Sequence, residues 1–304
     1  MKISIIIVNY NTSEYLKNCI DSVNRFEKDF ELEFIIVDNH SEDRNYLKEL
    51  PEERENVRII YLDSNTGFAF ANNKGFEASS GEYILILNPD IEFTESMFGH
   101  LIEKLTETNA GAIGVRLCGM DGKLQEKYYQ KYPNFYQYFF FYSVFSKPFA
   151  KSVNLRNKYL NFKISDETEN PQKVSQIPGA FIFLKREVYE EAGGFDESYF
   201  LFFEDVDLCY RIAKKRDLYI ASAKVRHIGA SSMKLKTNYR IYGYFIVSFV
   251  NFYRKNYSTF SYLFLKCCVF NNSVSKILIE NSRRIFGSYK KGVVKAHKYI
   301  IKHF

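Results

Sequence analysis

The stretch ILILNPDIEF, residues 84–93, decides how this chain is read. Four apolar residues, Ile84 to Leu87, predict a buried strand. Asn88, Pro89 and Asp90 then make a turn with a carboxylate at its tip. Turns need polar residues, so Asp90 taken alone is punctuation as readily as function. What surrounds it decides.

Working outward, strands and helices alternate. Residues 3–8 (ISIIIV), 33–38, 57–62 and 83–88 predict strands. Residues 13–26 carry Leu16, Ile20 and Val23 at helical spacing, with Ser13 as the expected cap. Residues 41–50, 68–79 and 97–108 predict further helices, the second closed by Gly81. This βαβαβαβ order predicts a mostly parallel sheet with helices on both faces. Ligands of such sheets gather beyond the carboxyl ends of the strands. Polar residues concentrate there: Asn9, Tyr10 and Asn11; Asp38 and Asn39; Asn65, Thr66 and Gly67; then Asn88 and Asp90. No GxGxxG follows the first strand, which argues against a dinucleotide oxidoreductase.

Downstream, residues 111–117 predict a strand, 120–123 a tight turn and 165–173 an exposed loop. The aromatic run 132–145, YPNFYQYFFFYSVF, reads either as a buried helix or flap or as an acceptor or membrane contact. Residues 176–215 hold a strand, a helix from Arg186, a Gly193–Gly194 stop and a second helix opening near Glu204. Glu204 and Asp205 follow the apolar FLFF, which places acids at the edge of an apolar pocket, where a raised pKa makes a useful base. Helix capping is the alternative, and Asp207 alone could serve it. Residues 219–232 form a strand running into a loop that carries His227.

With 46% apolar residues in a chain of 304, a real core forms and global disorder is excluded. The start, MKISIIIVNYN, has too short an apolar run for a signal peptide and reads as the first strand. The five cysteines show no metal spacing, and an odd, scattered set points to free thiols in a reducing compartment. Residues 211–304 carry 20 Lys and Arg against 2 Asp and Glu, a net +18, which leaves −12 on the first 210 residues. An acidic body with a basic tail calls for a polyanionic partner, nucleic acid or anionic lipid. The longest uncharged stretches, 132–146 and 241–253, are too short for a spanning helix, so none is expected.

Six motifs in order, SIIIVNYN, IIVDN, NTGFAFANNKG, ILILNPD, GAFIFLKREVYEEAGGFDESYFLFFEDVDLCYR and HIGASS, resemble the family 2 glycosyltransferases, nearest the bacterial rhamnosyltransferase-like branch. The resemblance covers residues 1–232. It implies an α/β chain of GT-A fold: a mostly parallel nucleotide-binding sheet flanked by helices. It also implies an inverting, metal-dependent transferase using a nucleoside diphosphate sugar. The catalytic domain would be residues 1–232, with a nucleotide-binding half at 1–110 and an acceptor and catalytic half at 111–232. Residues 233–304 would be a helical, aromatic and basic extension. By the family's pattern Asp38 contacts base and ribose. Asn65, Gly67 and Asn73 lie along nucleotide and sugar, and Gly179 and Ala180 border the donor sugar. Asn9, Asn11 and Asn88 complete the expected nucleotide-sugar site. The family's Asp-x-Asp metal motif stands here as Asn88-Pro89-Asp90, with its first acid lost. Asp90 and His227 are then the metal ligands, for Mn²⁺ or Mg²⁺. Asp205 stands in the place of the catalytic base, with Glu204 as the next candidate.

The resemblance implies dTDP-rhamnose as donor, or else a UDP-hexose, and a saccharide or polyprenyl-linked acceptor in cell-surface polysaccharide synthesis. A non-catalytic nucleotide-sugar or polyanion-binding protein is the alternative reading. Nucleic acid is not expected, because the basic tail carries no nucleic-acid motif. Within 239–264, Tyr242, Tyr244, Phe245, Phe249, Phe252, Tyr253, Phe260, Tyr262 and Phe264 sit beside Arg240, Arg254, Lys255 and Lys266. Rings with cations suit an interfacial helix, so the chain is expected to be cytoplasmic and peripheral on the inner membrane face. Packing of the same rings on the body or on a second copy in a homo-oligomer is the other reading.

Overall fold

The computed structural model describes residues 1–229, 239–285 and 287–304. In chain order the elements are β1 (Lys2–Asn9), α1 (Ser13–Phe26), β2 (Glu31–Asp38), α2 (Asn45–Glu53), β3 (Val57–Tyr61), α3 (Phe68–Glu77), β4 (Tyr83–Leu87) and β5 (Ile91–Phe93). Next come α4 (Phe98–Glu107), β6 (Ala112–Cys118), the helical turn α5 (Phe135–Gln137), α6 (Val153–Tyr159), β7 (Gln172–Val174), β8 (Phe181–Lys185), α7 (Arg186–Ala192), α8 (Glu204–Ala213) and β9 (Leu218–His227). Three helices close the chain: α9 (Tyr239–Asn256), α10 (Thr259–Ile285) and α11 (Lys291–Lys302). The described residues fall into two compact units, one of residues 1–130, 162–200 and 204–229, the other of 131–161, 201–203 and the described part of 239–304. The boundary expected at 232/233 and the end of the HIGASS motif, 230–232, lie outside the described residues.

The first unit is a nine-stranded sheet whose main path runs β3-β2-β1-β4-β8-β6-β9-β5, with β7 on β9. Strands β3, β2, β1 and β4 are parallel, as the alternating pattern required. Strands β1 and β4 are buried along nearly their whole length, which is why they read as continuous apolar runs rather than alternating ones. Beyond β4 the sheet is mixed. β8 runs antiparallel to both β4 and β6, and β9 is parallel to β6.

Two local expectations change. The cap expected from Ser13 is not made: Thr12 holds the N-cap position of α1, and its hydroxyl donates to Asn9 Oδ1 at 2.7 Å. Helix α2 starts at Asn45 rather than 41, because the chain turns first. His40 has a φ of 68°, and the Asp38 and Asp43 carboxylates accept from the N–H groups of Ser41 and Asn45. The Gly193–Gly194 stop is as expected, with both residues at positive φ directly after α7.

The second unit is helical and aromatic. The run 132–145 lies in it: Tyr138 and Gln137 are buried, and rings from Phe135 to Phe140 stack on one another and on Tyr159. Phe249, Phe252 and Tyr253 of α9 are at most 4% exposed, so these rings pack inside the unit and offer nothing to a membrane. Phe203 packs its ring on Phe245 and Phe249 here. On α10 the pattern reverses. Phe260, Leu263, Phe264, Cys267, Phe270, Leu278 and Ile285 recur at helical spacing and are exposed, most of all Phe260 at 80% and Ile285 at 81%. Its opposite side is partnered: Asn272 Oδ1 accepts from Val144 N, Ser273 meets His297, and Glu280 accepts from Lys290 N. By length and composition alone, α10 is the one helix among the described residues able to cross a membrane. Uncharged-run counting passes over it because Lys266 and Lys276 interrupt the sequence.

Candidate active site

Strand register assembles the polar residues at one end of the sheet. Asn9 pairs with Asp38 across β1–β2, and Asp38 with Tyr61 across β2–β3. Asn9 spends its amide on the protein. Its Nδ2 lies 2.8 Å from Asp38 Oδ1 and 2.7 Å from Tyr46 Oη, and its Oδ1 accepts from Thr12. Asp38 is fully buried, and its other oxygen lies 2.6 Å from Arg44 Nε. Asn11, at a φ of 55°, accepts from Glu42 N and donates its own N–H to Ser41.

Asn39, not among the expected site residues, clamps the turn after β3. Its Oδ1 accepts from Thr66 N at 2.8 Å, and its Nδ2 donates to Asn65 Oδ1 and Gly67 O. Gly67 has a φ of 89°, and a Cβ there would sit 2.3 Å from the Phe200 carbonyl oxygen, so only glycine fits. Asn73 spends its side chain on the protein. Its amide bonds Tyr189 Oη, both backbone groups of Phe195 and Glu197, locking α3 to α7 and the turn after it.

The end of β4 leads to the chemistry. Asn88 N donates to Ala180 O, which puts Gly179 and Ala180 beside the Asn88-Pro89-Asp90 turn. Gly179 N in turn donates to Asp205 Oδ2 at 2.8 Å, and Val206 N to Asp205 Oδ1 at 2.8 Å. A Cβ at 179 would lie 3.0 Å from the Asp205 carboxylate, so any side chain there would crowd that acid. Asp205 is half-buried, and burial raises its pKa against the pull of those two N–H groups. Glu204 is buried, and burial together with the Asp205 charge pushes its carboxyl well above the usual range. Its Oε2 has no hydrogen-bond partner among the described residues. The two residues before the pair, Phe202 and Phe203, both have positive φ, 66° and 68°, a costly state for bulky side chains and one that concentrates at functional sites.

Asp90 and His227 meet because β5 pairs with β9, Ile91 opposite His227. His227 Nε2 lies 3.6 Å from Asp90 Oδ1, while Asp90 Oδ2 accepts from Gly229 N at 3.1 Å. His227 is 3% exposed, and burial lowers its pKa despite the opposing Asp90 charge. No group of three or more His, Cys, Asp and Glu side chains able to hold a metal occurs among the described residues. Asp90 and His227 are a pair of oxygen and nitrogen donors side by side. A carboxylate and a neutral imidazole at 3.6 Å fit one divalent ion with bonds of about 2.1 Å, its other positions left to phosphate or water. Two surface hollows of about 470 and 460 Å³ lie elsewhere, one around Asp21, Arg25 and Glu92 and one around Glu95, His100 and Asp166.

A sheet whose strand ends gather these groups matches a known family: the sequence model of glycosyl transferase family 2 covers residues 4–193. The chain belongs to that family. It is a glycosyltransferase, and the non-catalytic alternative falls away. This transferase is 25% identical over 250 residues to the Haloferax volcanii low-salt glycan biosynthesis hexosyltransferase Agl10, covering 79% of this chain and 72% of the relative. It is 24% identical to the N-acetylglucosaminyl-diphospho-decaprenol L-rhamnosyltransferase of Mycobacterium tuberculosis over 75% of this chain and 76% of that one. Among solved structures, GalNAc-T7 with UDP, GalNAc and Mn²⁺ superposes with a TM-score of 0.61 at 13% identity, over all of this chain and 54% of that one. S. aureus TarS 1-349 gives 0.52 at 14%, over all of this chain and 89% of its own. These likenesses give the transferase its GT-A fold.

Proposed function

We propose that this transferase moves a sugar from a nucleoside diphosphate donor to a hydroxyl acceptor with inversion at the anomeric carbon. Asp90 and His227 would hold a divalent ion against the donor diphosphate. When bound, Mn²⁺ or Mg²⁺ supplies the Lewis acid that neutralises the leaving group. Asp205 would take the acceptor proton as general base. Its carboxylate hangs from Gly179 N, next to Ala180 and the Asn88 turn, so acid and donor pocket share one frame. Inversion needs the base on the face opposite the leaving group, which is why one carboxylate serves the cation and another the acceptor. Asn65, Gly67, Asn88, Gly179 and Ala180 would line the donor. Asn9 and Arg44 hold Asp38 for base and ribose, and Asn73 would act through packing alone.

The observation that carries the reading is the pairing of Asp90 with His227 across β5 and β9, with Asp205 tied to Gly179 in the turn before β8, beside the Asn88 turn. The GalNAc-T7 structure's UDP and Mn²⁺ support the choice of ligand class. dTDP-rhamnose is the first donor to try and a UDP-hexose the next. The decaprenol-linked substrate named for the mycobacterial relative supports a polyprenyl-linked saccharide acceptor. Such an acceptor suits peripheral docking on the cytoplasmic membrane face. The exposed apolar stripe of α10, flanked by Lys266 and Arg284, is the surface fitted for it, in place of the buried rings of α9. A thermal-shift screen of sugar nucleotides with Mn²⁺ tests the donor class. A ligand at 100 times its Kd adds about 2.7 kcal/mol of stability, so one nucleotide should stand out. A flat response to every sugar nucleotide would refute the reading.

A further inference from the structure

We propose that Gln125 is a positioning residue that fixes His227 as its Nδ1–H tautomer, leaving the Nε2 lone pair aimed at the cation position beside Asp90. The proposal rests on the metal reading above. His227 Nδ1 lies 2.8 Å from Gln125 Oε1, and Gln125 Nε2 lies 2.9 Å from the His227 carbonyl oxygen. That pair of contacts removes the ambiguity in both groups. A carbonyl oxygen only accepts, so the Gln125 atom facing it is the NH₂. The atom facing Nδ1 is then the amide oxygen, which also only accepts, so Nδ1 carries the proton. In the neutral ring Nε2 then carries the lone pair, 3.6 Å from Asp90 Oδ1. Two acceptors turned toward one another repel unless a cation lies between them.

Gln125 is itself held. Its N–H donates to Leu117 O at 2.8 Å, and the chain from Cys118 to Leu124 closes a tight hairpin with Gly122 at a φ of 76°. Tyr128, on the same segment, sets its ring edge-on to His227 at 4.8 Å. The imidazole is thus fixed by one amide and one ring. Outer hydrogen bonds of this kind orient metal-binding histidines, and their loss costs roughly 10- to 100-fold in metal affinity.

The test uses the full-length, metal-free protein labelled with ¹⁵N-histidine, with His227→Gln to assign the signal. Long-range ¹H–¹⁵N correlation spectra read the tautomer directly. Wild type should show Nδ1–H, and a wild-type Nε2–H signal overturns the proposal outright. Gln125→Leu should shift the tautomer toward Nε2–H and weaken Mn²⁺ binding roughly 10- to 100-fold. That affinity is followed by electron paramagnetic resonance with UDP and dTDP in turn. Gln125→Glu keeps the acceptor for Nδ1–H, so it should keep the tautomer and most of the affinity. An unchanged tautomer and affinity in Gln125→Leu overturns the proposal. If Gln125→Leu does not fold, Gln125→Glu decides the matter, and its loss of the Nδ1–H form refutes the proposal. An Nδ1–H signal with no Mn²⁺ binding would instead sink the metal reading and leave the tautomer assignment standing.

Discussion

Replacing Asp205 with Asn separates catalysis from structure. The carboxylate accepts two backbone N–H groups, from Gly179 and Val206, each at 2.8 Å. An amide has one oxygen, so one of the two bonds is lost and its N–H faces an NH₂ group. An unsatisfied buried donor costs about 1–3 kcal/mol. At about 2–4 °C per kcal/mol, Tm should fall by about 2–12 °C. Removing a positioned base costs about 10²- to 10⁴-fold in kcat. The protein therefore stays folded at 25 °C while turnover collapses, and the donor KM should change little. Glu204→Gln is the matched control. Glu204 Oε2 makes no hydrogen bond among the described residues, so the change should not lower stability and should cost less than about tenfold in kcat. Release of nucleoside diphosphate, with Tm recorded on the same samples, reads all of these. Near-normal turnover in Asp205→Asn, or a hundredfold loss in Glu204→Gln instead, would transfer the role of base to Glu204.

Asp90→Ala should lower Mn²⁺-dependent donor affinity and activity together, and equal activity with excess chelator would refute the metal assignment. Gly67→Ala should destabilise by about 1–3 kcal/mol from the positive φ alone, plus the clash with the Phe200 carbonyl, measured by urea unfolding; full stability would refute the glycine argument. The folded pKa of Glu204 lies above its ordinary 4.5, so the native state binds more protons than the unfolded chain. Its contribution to stability is present at acidic pH and is lost as pH rises from about 4.5 through the raised value. Glu204→Gln should flatten that slope in a pH series of urea melts, and parallel profiles for the two proteins would contradict it. Phe260→Ser with Leu263→Ser should halve or abolish co-sedimentation with anionic vesicles while leaving Tm unchanged, because both side chains are exposed. Equal pelleting of variant and wild type would refute docking by α10.

The alternation of the first ninety residues was legible because Ile5–Val8 and Ile84–Leu87 are buried on both faces, so the sequence itself marks strands and rim. Asp90 could be placed at the rim for the same reason. The reversal at β8 was not legible, because Phe181–Leu184 is equally apolar whichever way it runs. Nor was the role of Asn73, whose partners at Tyr189 and Phe195 lie over a hundred positions away in sequence. Gln125 carried no local signal: its bond to His227 exists only because the hairpin after β6 folds back on β9. The tail aromatics could not be sorted from sequence, because rings at helical spacing look alike whether buried or exposed. Packing assigned Phe249 and Phe252 to the interior and left Phe260 outside.

Metal-dependent transfer from a nucleoside diphosphate sugar at Asp90, His227 and Asp205 is read by release of free nucleoside diphosphate from dTDP-rhamnose and a panel of UDP-hexoses, with Mn²⁺ and with excess EDTA. One donor should be turned over with Mn²⁺ and fall to background with EDTA, and in Asp205→Asn its turnover should drop by about a hundredfold or more. Turnover unaffected by EDTA and by Asp205→Asn would contradict the account.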